Sequence, residues 1–300
     1  MNQKKILILG VSGLLGFHCQ EELCEDFNVL GTYSSIDLSS KNTIKFVYKD
    51  FSTSFRAILE EFRPDVIING AGLVSVDGCE ASPEEALLLN SSFIDDLIKD
   101  LLMVGLNNCH LIHISSAGVY GNSLKNSPWK EEDVTKPLSV YGHTKLLSEF
   151  IALRYKGPVT VIRSDFYGIN PHSEKSLLWW IIKNAQAGVP MEGWENIYFS
   201  PISARQLSKV IRKLINQKIT GLYNIGCTND CNKYSFVDAV CSHLSLDYNV
   251  KRTSLVDDTI RPNYTITDSS KVYEILGGGL NWEEDLKNYM GFLPQFPKLL

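Results

Sequence analysis

Short apolar runs alternate with segments of helical spacing along the first half of the chain. Short runs rich in Ile, Leu and Val are typical of buried strands, whereas apolar positions three and four residues apart are typical of a helix that packs on a sheet. The runs predict strands at residues 5–9, 28–33, 44–48, 66–69, 110–115 and 159–162. The helical spacing predicts helices at residues 14–27, 55–62 and 141–155, and a further helix that opens at Pro83, takes Ser82 as its N-cap and extends toward Val104.

This alternation predicts an α/β fold, because strands that alternate with helices form a parallel sheet with helices on both faces. The architecture expected is a Rossmann-type doubly wound parallel sheet. The pattern becomes less regular and richer in aromatic residues after residue 165. We therefore expect a sheet domain at 1–165 and a smaller C-terminal lobe at 166–300. The lobe is expected to be partly interleaved, because a strand near 221–226 returns to the first sheet.

Composition and charge exclude several classes of protein. The chain has 300 residues, of which 44% are hydrophobic and 21% charged, as in ordinary globular proteins. It carries 29 Lys and Arg against 34 Asp and Glu and has no basic block, so we expect no nucleic-acid partner. The apolar run at 177–182 is far shorter than the roughly 18 residues of a membrane span. The apolar stretch at 6–17 is interrupted by glycines and differs from a signal peptide, so we expect a cytoplasmic protein without a membrane segment.

The cysteine pattern fits neither a disulfide scaffold nor a zinc site. The seven cysteines are an odd number, are widely spaced, and include no Cys-x-x-Cys pair. We therefore expect free thiols in a reducing compartment and no bound metal.

A glycine turn joins the first predicted strand to the first predicted helix. Gly10, Gly13 and Gly16 stand there, and glycines at such a turn let the backbone approach a pyrophosphate. The helix N-terminus adds N–H groups and a partial positive charge. The turn therefore predicts a dinucleotide site, and the alternative is a glycine-softened turn that binds nothing.

Tyr141 and Lys145 lie four residues apart, hence on one face of the predicted helix. A lysine one turn from a tyrosine lowers the pKa of the phenol and favours proton transfer near neutral pH. Ser116 ends the fifth predicted strand at its carboxyl end, where open α/β sheets bind ligands. Neither feature is informative alone. A tyrosine and a lysine four residues apart are expected about once by chance in a chain of this composition, and a serine in this position could simply cap a turn.

Together these motifs resemble the extended short-chain dehydrogenase/reductase superfamily over nearly the whole chain. Within it, the sequence is similar to the dTDP-4-dehydrorhamnose reductase family. The motifs that carry the likeness are the glycine turn, Asn69–Gly72 within the segment 68–80, Pro83-Glu and Asn90, the segment 113–121, Tyr141 with Lys145, the segment 199–202, Arg261-Pro262 with Asp268 and Lys271, and Asn281-Trp282.

The resemblance implies a catalytic triad of Ser116, Tyr141 and Lys145. Ser116 would bond the substrate carbonyl, Tyr141 would donate the proton, and Lys145 would hold the nicotinamide ribose and tune Tyr141. It implies cofactor contacts at Gly10, Ser12, Gly13, Leu14, Leu15, Gly16, Ser34, Ser35, Asp50, Phe51, Ala71, Gly72, Asn90, Ser115, Tyr141 and Lys145. Substrate contacts are expected at Val74, Ser116, Trp129, Phe166 and Arg261.

The end of the second predicted strand bears on the choice of cofactor. Rossmann proteins that bind NAD place a carboxylate there for the adenosine ribose. This chain has Ser34 and Ser35 instead, and the nearest acid is Asp37. Without that negative charge a 2′-phosphate is not repelled, and the serine hydroxyls can bond it. We therefore expect NADP, with NAD as the alternative.

The resemblance implies a reductase that transfers hydride from NAD(P)H to a nucleotide-activated 4-keto sugar. The segment 115–120 is closer to that of nucleotide-sugar epimerases, and Leu73 replaces a usual aromatic residue. Ala117 and Gly118 lack the acidic pair of dehydratases, which counts against dehydration. The alternatives are an epimerase with tightly bound NAD and a non-catalytic regulatory subunit of the same fold. A homodimer is the expected oligomer.

Overall fold

The computed structural model describes residues 3–36, 38, 42–48, 54–122, 127–244, 248–256 and 260–293. Its strands are β1 (Lys5–Leu9), β2 (Asn28–Tyr33), β3 (Thr43–Lys45), β4 (Val66–Asn69), β5 (His110–Ile114), β6 (Val159–Arg163), β7 (Asp165–Tyr167), β8 (Met191–Trp194), β9 (Tyr198–Phe199), β10 (Pro201–Ser203), β11 (Gly221–Asn224), β12 (Cys231–Asn232), β13 (Val250–Thr253) and β14 (Tyr264–Thr265). Its α-helices are α1 (Leu14–Leu23), α2 (Phe55–Phe62), α3 (Val76–Ala81), α4 (Pro83–Leu87), α5 (Phe93–Met103), α6 (Val140–Leu153), α7 (Leu177–Gln186), α8 (Ala204–Gln217), α9 (Lys233–Leu244), α10 (Ser270–Leu276) and α11 (Trp282–Met290).

A seven-stranded sheet forms the centre of the molecule. Its strand order is β11-β6-β5-β4-β1-β2-β3, and every neighbouring pair is parallel. The order reverses at β1 and β4, which is the arrangement of a doubly wound sheet. The predicted α/β fold is therefore confirmed.

The two faces of this sheet pack against different helices. Along β1, Ile6 and Ile8 belong to one hydrophobic cluster, whereas Leu7 and Leu9 belong to another, because successive side chains of a strand point to opposite faces. The first cluster also contains buried residues of α1 and α8, and the second contains those of α2, α5 and α6. The continuous apolar runs of the sequence thus correspond to strands that are buried on both faces.

Two predicted elements end earlier than their sequence patterns. The helix predicted at 14–27 ends at Leu23, where Asp26 and Phe27 both donate backbone hydrogen bonds to the Leu23 carbonyl and turn the chain into β2. The strand predicted at 44–48 is observed at Thr43–Lys45 instead, because its partner β2 ends at Tyr33, which pairs with Lys45.

The helical segment predicted from Pro83 toward Val104 is continuous but not uniform. A π-helical turn at Leu88–Ser92 lies between α4 and α5. Ser82 occupies the N-cap position, yet its side chain makes no capping hydrogen bond. The pattern did not reveal α3, a short helix whose first turn is capped by Ser75, which accepts the backbone N–H of Gly78 at 3.1 Å.

Beyond β6 the chain forms small sheets beside the carboxyl end of the main one. β7 pairs with β10, β8 pairs with β13, and β9 lies between β12 and β14. β11 returns to the main sheet and pairs in parallel with β6 at its edge. The second half of the chain therefore extends the sheet built by the first.

No helix in the described part of the chain is long and apolar enough to cross a membrane. All seven cysteines are described, and none of them forms a disulfide.

Candidate functional site

A cavity of about 830 Å³ lies at the carboxyl end of the sheet. Leu9 at the end of β1, Ile114 at the end of β5, and Ser164 directly after β6 line it. The predicted site residues that line this cavity are Gly10, Ser12, Gly13, Leu14, Leu15, Gly16, Ser34, Ser35, Ala71, Gly72, Val74, Ser116, Tyr141, Phe166 and Arg261. Its size is that of a ligand site, and its position is where open α/β sheets bind ligands.

The glycine turn after β1 is shaped so that only glycine fits. Gly10 has a φ of 80°, which other residues rarely adopt. A Cβ atom on Gly16 would lie 2.2 Å from the carbonyl oxygen of Gly10. Helix α1 then begins without a side-chain cap and without an acidic residue in its first turn. Its first N–H groups are thus available to an anion at the cavity wall, so the turn fits a dinucleotide pyrophosphate.

The end of β2 offers hydroxyl groups to the same cavity. Ser34 and Ser35 follow the last residue of β2, are exposed, and line the cavity. No carboxylate of the described chain stands at this strand end. Asp37, Asp50 and Phe51, which entered the sequence interpretation, lie outside the described residues.

Ser116 and Tyr141 meet inside the cavity. Ser116 follows β5 and accepts the backbone N–H of Gly118 at 3.1 Å. Tyr141 lies in the first turn of α6, where Ser139 caps the helix by accepting the N–H of Gly142 at 3.0 Å. Both side chains line the cavity, and the Ser116 hydroxyl lies close enough to the phenol of Tyr141 to lower its pKa. Two hydroxyl groups from distant elements are therefore held together at the carboxyl end of the sheet.

The protonation of Tyr141 differs from the sequence prediction. Burial raises the pKa of Tyr141 to about 12, the nearby Ser116 hydroxyl opposes this rise, and the charge of Asp165 adds to it. Lys145 does not act on Tyr141 here, so the predicted lowering of the tyrosine pKa is wrong for this structure. The phenol is protonated at neutral pH and can give a proton.

Lys145 lies behind the cavity wall and does not line it. Its ammonium donates to the carbonyl oxygen of Ile114 at 2.5 Å. Burial lowers the pKa of Lys145 to about 8, and the nearby Glu149 opposes that change. The helical spacing placed the lysine on the same face as Tyr141, but its charged end is directed to the end of β5.

Asn90 and Ser115 also lie outside the cavity lining. Asn90 accepts the N–H of Leu73 at 2.8 Å and donates to Thr144 at 3.0 Å, so it joins the loop after β4 to α6. Ser115 donates to Glu149 at 2.5 Å. Both side chains are buried and support the residues that do face the cavity, among them Gly72, where a Cβ would lie 2.5 Å from the Asn90 oxygen.

The predicted substrate residues divide into two groups. Val74, Phe166 and Arg261 line the cavity together with Ser116, and Arg261 donates to Asp77 at 2.6 Å. Trp129, in contrast, is not brought to the cavity.

Trp129 is instead part of a small buried cluster. Its ring stacks on Tyr120 at 5.1 Å between centroids, and its indole N–H donates to the Tyr264 carbonyl at 3.0 Å. A backbone bridge to Thr267 fixes the segment in that position. The aromatic residue in the polar loop is thus a packing residue.

Sequence reasoning missed several polar residues of the cavity. Asp165, Asn170, Lys233 and Thr265 all line it. Asn170 donates to the Ser12 carbonyl at 2.6 Å and so holds the glycine turn. Asp165 directly precedes the predicted residue Phe166 at the end of a strand, which was an available signal, whereas nothing in the local sequence marked Lys233. Among the described residues, no group of three or more His, Cys, Asp or Glu side chains could hold a metal ion.

Three curated relatives share between a quarter and a third of their residues with this chain. The spore coat polysaccharide biosynthesis protein SpsK of Bacillus subtilis is 26% identical, in an alignment that covers 95% of this chain and 96% of SpsK. Methionine adenosyltransferase 2 subunit beta of Xenopus tropicalis is 28% identical over 91% and 82% of the two chains. The dTDP-4-dehydrorhamnose reductase of Escherichia coli is 27% identical over 78% and 76%.

Solved structures of similar fold cover almost the whole chain. The dTDP-4-dehydrorhamnose reductase of Bacillus anthracis in complex with NADP has a TM-score of 0.83 at 22% identity, over 97% of this chain and 100% of that one. The UDP-glucuronic acid 4-epimerase of Bacillus cereus, in complex with UDP-glucuronic acid and NAD, has a TM-score of 0.79 at 18% identity, over 97% and 99%. The model of the RmlD substrate binding domain matches residues 4–293, so this chain belongs to that family, as its motifs predicted.

Proposed function

We propose that this protein is an NAD(P)-dependent reductase of a nucleotide-activated 4-keto sugar. The observation that carries the proposal is that the hydroxyls of Ser116 and Tyr141 line the same cavity as the glycine turn around Gly10. A proton donor and an anion-binding turn in one cavity are what hydride transfer to a sugar carbonyl requires. The similarity to the reductase of Escherichia coli supports this substrate class.

The protein residues have distinct roles in this reaction. When bound, a reduced nicotinamide supplies hydride to the carbonyl carbon. Tyr141 gives its proton to the carbonyl oxygen, which thereby becomes an alcohol, and then regains a proton from solvent. Ser116 hydrogen-bonds the same oxygen and stabilises its developing charge. Lys145 contributes a positive charge near the cofactor ribose once its ammonium leaves the Ile114 carbonyl.

NADP is the cofactor that the cavity fits best, and NAD is the alternative. The hydroxyls of Ser34 and Ser35 stand where a 2′-phosphate would be bound, and no described carboxylate repels it there. The NADP complex of the Bacillus anthracis reductase, which has the same fold, agrees with this choice.

The test is reduction of dTDP-4-dehydrorhamnose, followed by the loss of NADPH absorbance. We expect turnover by the wild-type protein and a decrease of about 100-fold or more in kcat for Tyr141→Phe, because a general acid contributes about 10²- to 10⁴-fold. Tyr223→Phe is the matched control, since that phenol donates to the Thr220 carbonyl and does not line the cavity. Equal activity of wild type and Tyr141→Phe would contradict the proposal.

An epimerase is the second candidate, because Ala117 and Gly118 after the catalytic serine are closer to the epimerase pattern. Such an enzyme would keep NAD bound and return the hydride to the same substrate. NAD that copurifies with the protein, together with epimerisation of a nucleotide sugar without net NADPH consumption, would favour this candidate over the reductase.

A non-catalytic regulatory subunit is the third candidate, and the similarity to methionine adenosyltransferase 2 subunit beta favours it. A stable complex with a second protein, whose activity is unchanged by Tyr141→Phe, would support this role. A homodimer and a cytoplasmic location remain predictions, which sedimentation and cell fractionation would test.

A further inference from the structure

Two oppositely charged side chains face the cavity from the second half of the chain. Asp165 is the first residue of β7, and Lys233 is the first residue of α9. Both are half-buried and line the cavity that contains Ser116 and Tyr141. Neither side chain has a role in the reaction described above.

The carboxylate of Asp165 is held beside the reacting groups. Its Oδ2 atom accepts a hydrogen bond from the hydroxyl of Thr265 at 2.6 Å. The backbone of Ala117, the residue directly after Ser116, lies close enough to this carboxyl to lower its pKa. Its charge contributes to the raised pKa of Tyr141. Asp165 therefore lies next to the two hydroxyls that would meet the substrate carbonyl.

The ammonium of Lys233 has unused hydrogen-bond donors. Its Nζ atom lies 3.5 Å from the centre of the Phe199 ring, which supports a cation from its face. Lys233 and Asp165 attract each other electrostatically, but they form no ion pair. Within the described residues, no side chain or carbonyl accepts a hydrogen bond from this ammonium. A lysine has three donors, so this one can bind a ligand.

A hydroxyl group of a neutral sugar satisfies this pair of charges best. A hydroxyl is both donor and acceptor, so it can donate to Asp165 and accept from Lys233 at once. A sugar carboxylate would lie beside the negative charge of Asp165, and an apolar substituent would remove both charged groups from water without replacing their hydrogen bonds.

We propose that Asp165 and Lys233 form a subsite that binds the sugar hydroxyl on the carbon next to the reacting carbonyl. The proposal deepens the reductase function above and rests on it for the orientation of the sugar. The subsite selects neutral sugars with that hydroxyl over uronic acids and over sugars that are deoxy at that carbon.

The experiment compares a substrate that has the hydroxyl with one that lacks it. The pair is dTDP-4-dehydrorhamnose and its 3-deoxy analogue, assayed by NADPH consumption. For the wild-type protein we expect kcat/KM to be about 10- to 100-fold lower on the 3-deoxy analogue, the effect of a lost hydrogen bond to a charged group. For Lys233→Met, kcat/KM on the hydroxylated substrate should fall by about the same factor, while that on the analogue changes less than about 3-fold.

Further variants separate binding of the hydroxyl from a general loss of structure. Asp165→Asn should also reduce the preference for the hydroxylated substrate, whereas Lys233→Arg, which keeps the charge, should restore part of it. Lys271→Met is the matched control, because Lys271 also stands over an aromatic ring, that of Tyr223 at 4.6 Å, but does not line the cavity. The preference of Lys271→Met for the hydroxylated over the 3-deoxy substrate should equal that of the wild type. Thermal melting and NADPH binding of each variant report whether it is folded.

The outcomes distinguish this proposal from the proposed function. If the wild type reduces the sugar but Lys233→Met lowers kcat/KM equally on both substrates, the subsite is wrong and the reductase stands. If no hydride is transferred, calorimetry with dTDP-glucose and dTDP-3-deoxyglucose in the presence of NADP decides the matter. Hydroxyl-dependent affinity that disappears in Lys233→Met then supports the subsite alone, and its absence overturns both proposals.

Discussion

The protonation of Tyr141 and Lys145 depends on contacts that residue spacing does not reveal. Tyr141 and Lys145 are four residues apart on α6, as the sequence showed, yet the ammonium binds the Ile114 carbonyl instead of approaching the phenol. Burial then dominates the pKa of Tyr141 and raises it, the nearby Ser116 hydroxyl opposes this rise, and the charge of Asp165 adds to it. An i,i+4 pair predicts that two side chains share a helix face, but the direction of each charged end is decided by tertiary contacts.

The pH dependence of cofactor binding should reveal the charge of Lys145. Burial lowers the pKa of Lys145 to about 8, so the ammonium is charged at about pH 6.5 and mostly neutral at about pH 9.5. Because the cofactor is an anion, we expect the Kd of NADPH to rise by several-fold over this range. Fluorescence titration of NADPH measures it. In Lys145→Met the Kd should be high at both pH values, and a pH dependence equal to that of the wild type would contradict this role.

A buried ion pair between Glu149 and Arg163 contributes to the stability of the fold. Glu149 and Arg163 are 2% and 5% exposed, and Oε2 of Glu149 lies 2.7 Å from Nη2 of Arg163. Glu149→Gln leaves the guanidinium buried without its counter-charge, so the free energy of unfolding should fall by about 3 kcal/mol. Urea denaturation measures this change. Glu174→Gln is the control, because Glu174 pairs with Lys183 at the surface. This substitution should lower the free energy of unfolding by less than about 1 kcal/mol.

Helices and strands whose own sequence pattern identifies them could be predicted. Strands that form only by pairing with segments far along the chain could not. β1, β2, β4 and α2 have the predicted bounds, because continuous apolar runs and a clear amphipathic face identify them without tertiary information. The two- to four-residue strands from β7 onward, β11 excepted, carry no such pattern. Their backbone conformation depends on partners far along the chain, as when β13 pairs with β8.

The end of β2 is the element that should set cofactor preference. Ser34→Asp would place a carboxylate at the cavity edge where the 2′-phosphate is expected. Repulsion between the two anions should lower the preference for NADPH over NADH by about 10-fold or more. The ratio of kcat/KM for the two cofactors measures it. Ser34→Ala, which removes only the hydroxyl, should weaken the binding of NADPH but not that of NADH, and by a smaller factor. If the ratio of kcat/KM for NADPH to that for NADH is unchanged in Ser34→Asp, another region selects the cofactor.

At the scale of the whole molecule, the cavity is built from both halves of the chain. The first half supplies the glycine turn, Ser116 and Tyr141, all of which the sequence motifs identified. The second half supplies Asp165 and Lys233, which are separated along the chain by α7, α8 and the strands β8 to β12 and come to one cavity only in the folded structure. The general position of the site followed from the sheet topology, but most of its polar lining required the tertiary structure.

The interleaving of the two halves leads to a prediction about unfolding. β11 completes the main sheet, and its residue Asn224 accepts the Tyr120 hydroxyl at 2.8 Å and donates to the Trp129 carbonyl at 2.9 Å. Arg212 of α8 pairs with Glu22 of α1 at 3.1 Å. Because Asn224 is fully buried and α1 and α8 share one hydrophobic cluster, neither half should unfold while the other remains native.

Tryptophan fluorescence and far-UV circular dichroism can test this, because four of the five tryptophans lie after residue 165 while helices occur throughout the chain. We expect a single urea transition with the same midpoint and the same m-value by both probes, with m in proportion to the surface of the entire chain. Asn224→Ala should shift both curves together to lower urea. A fluorescence transition that precedes the loss of helical signal would show that the C-terminal lobe unfolds on its own, and the strand shared at β11 would then not couple the two halves.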